Sequence, residues 1–64
     1  MANYYRPLIK ILRQNGFEFL RQGRGDHELW WNDKLQVAAV VDRSLDSRHT
    51  ANGILKEAGL PKAF

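Results

Sequence analysis

A chain of 64 residues with no cysteine makes one small domain, residues 1–64, that must hold itself together by packing, because neither a disulfide nor a thiolate metal site can staple it. Ten Lys and Arg against seven Asp and Glu leave a net charge of +3, a mild bias toward a polyanionic or acidic partner. The longest apolar run, Val37 to Val41, is far short of the roughly 20 residues of a membrane span, and Met1-Ala2-Asn3-Tyr4-Tyr5 lacks the basic-then-apolar order of a secretory signal, so a cytoplasmic protein is expected.

From about Asn3 to Asn15, apolar residues recur at Tyr5, Leu8, Ile9, Ile11 and Leu12, with Lys10, Arg13 and Gln14 on the opposite side. That spacing predicts an amphipathic helix. Pro7 fits only in its first turn, where the missing N–H has no intrahelical acceptor to lose. Gly16 stands where a left-handed residue would end the helix, with Phe17 folding back on Leu12 in a Schellman arrangement.

Phe17 to Gln22 reads as a strand, and the Gly-rich stretch Gly23-Arg24-Gly25-Asp26 turns the chain into Glu28-Leu29-Trp30-Trp31 with His27 at its start. Asn32-Asp33-Lys34 is a second turn cluster, and Leu35 to Val41 is a third, valine-rich strand. After a polar connection from Asp42 to Asp46, Ser47 is the expected N-cap of a second helix running to Ala58, closed by Gly59 with Pro61 beyond. Its apolar stripe is Ala51, Ile54, Leu55 and Ala58. The predicted class is α+β in the order α-β-β-β-α, a three-stranded antiparallel meander with two helices on one face.

His27 is the first candidate for chemistry. Imidazole is the side chain best suited to moving protons near neutral pH, and cleavage of RNA by the ribose 2′-OH needs that hydroxyl deprotonated and the charge developing on phosphorus stabilised. The competing reading is an ordinary polar strand residue. Arg24 lies in the turn as a candidate phosphate contact, and Arg48 with His49 at the start of the second helix would reinforce the attraction of the helix N-terminus for phosphate; the competing reading makes Arg48 and His49 solvated first-turn residues. In an unbulged strand His27, Leu29 and Trp31 share one face, and Glu28 and Trp30 the other. If Leu29 and Trp31 point into the core, Trp30 is exposed and available for a base or a protein partner. Two histidines without further ligands at recognisable spacing do not make a metal site, and no P-loop, dinucleotide fingerprint or nucleophile elbow occurs, so no metal or cofactor is expected.

Three segments carry a wider likeness: Leu8 to Phe17 ending in Asn-Gly-Phe, Arg21 to Trp30 with its Gly-x-His turn, and Ser47 to Leu60 ending in Ile-Leu-Lys-Glu-Ala-Gly-Leu. Together they resemble the HicA family, also called YcfA-like, over nearly the whole chain and in the right order. The resemblance implies a double-stranded-RNA-binding-domain-like fold and the toxin of a bacterial type II toxin-antitoxin pair. It further implies ribosome-independent endoribonuclease action on messenger RNA, a HicB antitoxin that covers the active site, and no DNA contact by this chain itself. The family's catalytic histidine falls on His27, and the glycine before it falls on Gly25, where a missing side chain would admit substrate backbone. Where serine is frequent between the two, this chain has Asp26, whose charge would repel a phosphate and stand beside the imidazole. A non-catalytic RNA-binding module of the same topology, and a protein-binding domain built around Trp30, are the alternatives.

Overall fold

The computed structural model describes residues 3–64 and has the order α1 (Tyr5–Gln14), β1 (Glu18–Gln22), β2 (His27–Asn32), β3 (Val37–Asp42), α2 (Arg48–Glu57). The strands form one antiparallel sheet in the order β1-β2-β3, so the predicted α+β meander is the observed architecture. Among the described residues, no helix is long and apolar enough to cross a membrane.

Both helices end as their glycines dictate. Gly16 takes φ +91°, its N–H donates to the Arg13 carbonyl at 3.1 Å, and the Phe17 N–H reaches back to Leu12 at 2.9 Å. The same pair of bonds closes α2, from Gly59 to Lys56 and from Leu60 to Leu55. Each is a Schellman motif, which satisfies carbonyls that the helix itself cannot. Phe17 is therefore a buried helix-closing residue, and the first strand begins one residue later than predicted, at Glu18.

One layer of core lies between the helices and the sheet. Leu8 and Leu12 of α1 and Ala51 and Leu55 of α2 meet Trp30, Ala39 and Val41 from the sheet. Leu45 joins them from the connection that reads as polar in sequence, and its carbonyl accepts the Tyr4 N–H at 2.9 Å, tying the start of α1 to the loop before α2.

The phase of β2 corrects the expectation for Trp30. It is 1% exposed and lies beneath the helices with Glu28 and Asn32, while His27, Leu29 and Trp31 face the open side. Apolarity alone favours the opposite phase, since burying Trp30 also buries a carboxylate and an amide. Hydrogen bonds decide it. Glu28 Oε1 accepts from the Tyr5 hydroxyl at 2.7 Å and from Trp30 Nε1 at 3.1 Å, and Arg43 Nε stands 3.8 Å from Oε2. Asn32 donates to the Asn15 carbonyl and accepts from the Leu35 N–H, which fastens the end of α1 to the β2–β3 turn. With these bonds made, burial costs the polar groups little, and the large indole fills the space opposite the small Ala39. The Phe19 ring meets the indole edge-on at 5.9 Å, and the Arg13 guanidinium lies 5.1 Å from its centre. Trp30 is thus a core residue with no surface to offer a partner.

Candidate active site

The turn between β1 and β2 is held by its own backbone. The Gly23 N–H donates to the His27 carbonyl at 2.8 Å, and the His27 N–H donates to the Arg24 carbonyl at 3.1 Å. Gln22 closes it from the side, its amide donating to the Gly25 and His27 carbonyls. Gly25 sits at φ +61° in the left-handed region, and a Cβ there would meet nothing within 4 Å, so backbone conformation alone accounts for the glycine. The Arg43 N–H donates to the Asp26 carbonyl at 3.0 Å, which latches the loop after β3 onto the turn.

His27 projects from this frame with its side chain 52% exposed. Its Nδ1 lies 2.9 Å from the Arg24 carbonyl oxygen. A carbonyl only accepts, so Nδ1 carries the proton, and the neutral ring keeps its lone pair on Nε2. Nε2 faces Asp42 Oδ2 at 3.9 Å, close enough for charge attraction and too far for a hydrogen bond. The Asp42 carboxyl is held below the usual carboxylate range, first by the Ser44 N–H and then by the Ser44 hydroxyl, both donating to Oδ1 at 2.8 Å, with the nearby imidazole acting in the same direction. Ser44 therefore orients Asp42 and favours its ionised form.

A shallow groove of about 390 Å³ runs between His27, Val40 and Asp42 on the sheet and Gly53, Ile54 and Glu57 on α2. The imidazole therefore opens onto a surface large enough for part of a ligand, and its Nε2 is the basic atom available there. The groove also carries two carboxylates, those of Asp42 and Glu57.

The remaining sequence-predicted residues are distributed around this groove. Arg24 is exposed in the turn and contributes the carbonyl that fixes the His27 ring. Arg48 and His49 are exposed in the first turn of α2, where the Ser47 hydroxyl accepts the Thr50 N–H at 3.4 Å. His49 lines a second groove, of about 340 Å³, with Asn52, Gly53, Lys56, Leu60 and Lys62; Arg48 lines neither. His27 and His49 thus face different grooves. Asp26 does not supply the carboxylate opposite the imidazole; it contributes its backbone carbonyl, and Asp42 takes the position across from His27.

Asp42 is the residue the sequence reading missed, and the reason is the β2–β3 turn. With the turn confined to Asn32-Asp33-Lys34 and Leu35 opening the strand, Ala39 would stand opposite His27. In the structure residues 33–36 all lie between the strands, Gln36 takes φ +56°, and β3 starts at Val37, which brings Asp42 into register with His27. Gln36 Nε2 donates to the Asp33 carbonyl and side chain, a local bond that stabilises the wider turn. Comparisons with protein-family models, curated proteins and solved structures find no match to this chain.

Proposed function

We propose that this chain is an endoribonuclease, a ribosome-independent messenger-RNA-cleaving toxin of the HicA kind neutralised by a HicB-type antitoxin, with His27 as its proton-transfer residue. The observation that supports this reading best is the exposed imidazole, whose Nδ1–H is committed to the Arg24 carbonyl at 2.9 Å and whose Nε2 opens onto a groove beside an ionised carboxylate. In the reaction Nε2 takes the proton of a ribose 2′-OH, and the oxygen so freed attacks the adjacent phosphorus. The bond from phosphorus to the 5′ oxygen breaks, and that oxygen leaves with a proton returned by the imidazolium or by water. The products are a 2′,3′-cyclic phosphate and a 5′-hydroxyl end. Asp42 at 3.9 Å stabilises the imidazolium that forms, while Arg24 and Arg48 are the cations assigned to the phosphate. Gly25, in this reading, keeps the turn low enough for substrate backbone to approach.

Expression of the wild-type chain and of His27→Ala side by side, with growth and transcript integrity followed, tests the proposal. Growth arrest with transcript loss is expected only for the wild type. Equal transcript loss with a folded His27→Ala protein would overturn it. One observation favours the alternative of a non-catalytic RNA-binding module: the carboxylates of Asp42 and Glu57 line the His27 groove and repel phosphate there. RNA that is bound in a salt-sensitive manner and never shortened would select that reading.

A further inference from the structure

We propose that the RNA strand is held next to its cleavage point by a separate phosphate subsite, formed by His49, Lys56 and Lys62, and that the strand reaches it by crossing α2 over Gly53. The proposal rests on the reading of the chain as an RNA-acting protein and assigns where the affinity for RNA resides.

Charge is divided between the two grooves. The groove at His27 carries the carboxylates of Asp42 and Glu57, so it is poorly suited to retain a polyanion by itself. The neighbouring groove has His49, Lys56 and Lys62 along its walls and no carboxylate among its lining residues. Its shape is built into the fold. Asn52 of α2 accepts the Ala63 and Phe64 N–H groups at 3.2 and 3.0 Å and donates to the Phe64 carbonyl at 2.9 Å. Phe64 in turn packs edge-on against Tyr4, with ring centres 5.2 Å apart. The segment after α2 is thereby folded back, and it carries Lys62 to the wall of the groove that Lys56 and His49 also line.

Gly53 is the residue the two grooves share. It is the sixth residue of the ten-residue helix Arg48–Glu57, an interior position where glycine is the least favourable residue after proline. Packing does not demand it, because a Cβ at Gly53 would meet nothing within 4 Å. Neither does backbone conformation, since Gly53 is not among the positive-φ glycines. What the glycine does provide is a bare helix crest between the site of chemistry and the site of positive charge. A phosphodiester backbone crossing at Gly53 meets no side chain from that position and passes between those of the flanking groove residues.

The test measures binding of the full chain to a short single-stranded RNA carrying 2′-O-methyl groups, which cannot be cut by a 2′-oxygen, across a range of salt. The double variant Lys56→Gln/Lys62→Gln is expected to bind about tenfold more weakly or worse, the loss of at least one charge-assisted contact. Its log-log salt dependence should be shallower by about 0.7 for each phosphate contact removed. Gly53→Leu should weaken binding while raising the thermal midpoint, which separates blockage of the path from misfolding. Arg6→Gln/Lys10→Gln, an equal charge change on α1, should alter neither affinity nor slope by as much. If the Lys56/Lys62 and Gly53 variants bind like the wild type while unmodified RNA is still cleaved in a His27-dependent way, the subsite is wrong and the endoribonuclease reading stands. If the wild type neither binds nor cuts RNA, both fall.

Discussion

Replacing Trp30 with alanine tests the strand phase on which the placement of His27 depends. The indole is 1% exposed, and truncating a buried Trp to Ala removes about 3–5 kcal/mol through lost burial and the cavity left behind. Its cation-π contact with Arg13 at 5.1 Å adds about 0.5–1 kcal/mol at a partly exposed site. The loss of Nε1–H also leaves the buried Glu28 carboxylate with one donor fewer. A domain of this length has a total stability of roughly 3–10 kcal/mol, so the substitution removes much or all of it. Urea titration followed by far-ultraviolet circular dichroism should show Trp30→Ala unfolded, or unfolding at far lower urea than wild type. Trp31→Ala, on the open face, should keep a cooperative transition displaced by about 1 kcal/mol or less. A stable Trp30→Ala beside an unfolded Trp31→Ala would refute the phase and move His27 to the helix-covered side.

Three further outcomes follow from individual contacts. Burial and the hydrogen bond to Glu28 push the Tyr5 hydroxyl above its ordinary value of about 10, so its contribution to stability is complete below that pH and disappears as pH rises through the folded-state value. The stability gap between wild type and Tyr5→Phe, about 0.5–1.5 kcal/mol at pH 8, should therefore close above pH 10 in thermal melts, and a constant gap would contradict the coupling. Asp42 behaves in the opposite sense: its lowered value favours the fold above about pH 3.9, and that contribution is lost as pH falls through the folded-state value. Ser44→Ala should raise the Asp42 titration midpoint, read by carboxyl carbon NMR, and an unmoved midpoint would remove Ser44 as the cause. Gly25→Ala forces a Cβ into φ +61° with no atom to clash against, so it should cost about 1–2 kcal/mol from backbone strain alone, measured as a lowered urea midpoint.

Local signals in the sequence located most of the fold, because they act over a few residues. The stripes at Leu8 and Leu12 and at Ala51 and Leu55, the Ser47 cap and the two glycine closures each report a single helix, and each is present in the structure. What the sequence concealed depends on distant partners. Trp30 and Trp31 are adjacent and equally apolar, and the choice between them is made by Tyr5, Asn15 and Arg43, whose groups make burial of Glu28 and Asn32 affordable. The position of Asp42 depends on a left-handed Gln36, a conformation that no glycine announces. Leu45 is a lone apolar residue in a polar stretch and enters the core only because the loop folds under the start of α1. For the candidate site, the turn and its histidine were legible from Gly23 to His27, whereas the carboxylate and the groove required the pairing of β2 with β3 and the approach of α2.

The central claim is that His27 Nε2 initiates cleavage from the ribose 2′-OH, and the most direct measurement is a time course of a defined RNA with purified wild-type and His27→Ala proteins, with fragment ends identified by mass. The account predicts wild-type fragments ending in 2′,3′-cyclic phosphate or its hydrolysed 3′-phosphate, with 5′-hydroxyl partners, and a rate lower by about 10²–10⁴ for a His27→Ala protein that remains folded. Cleavage by folded His27→Ala at the wild-type rate, or wild-type fragments that carry 5′-phosphate ends, would contradict it.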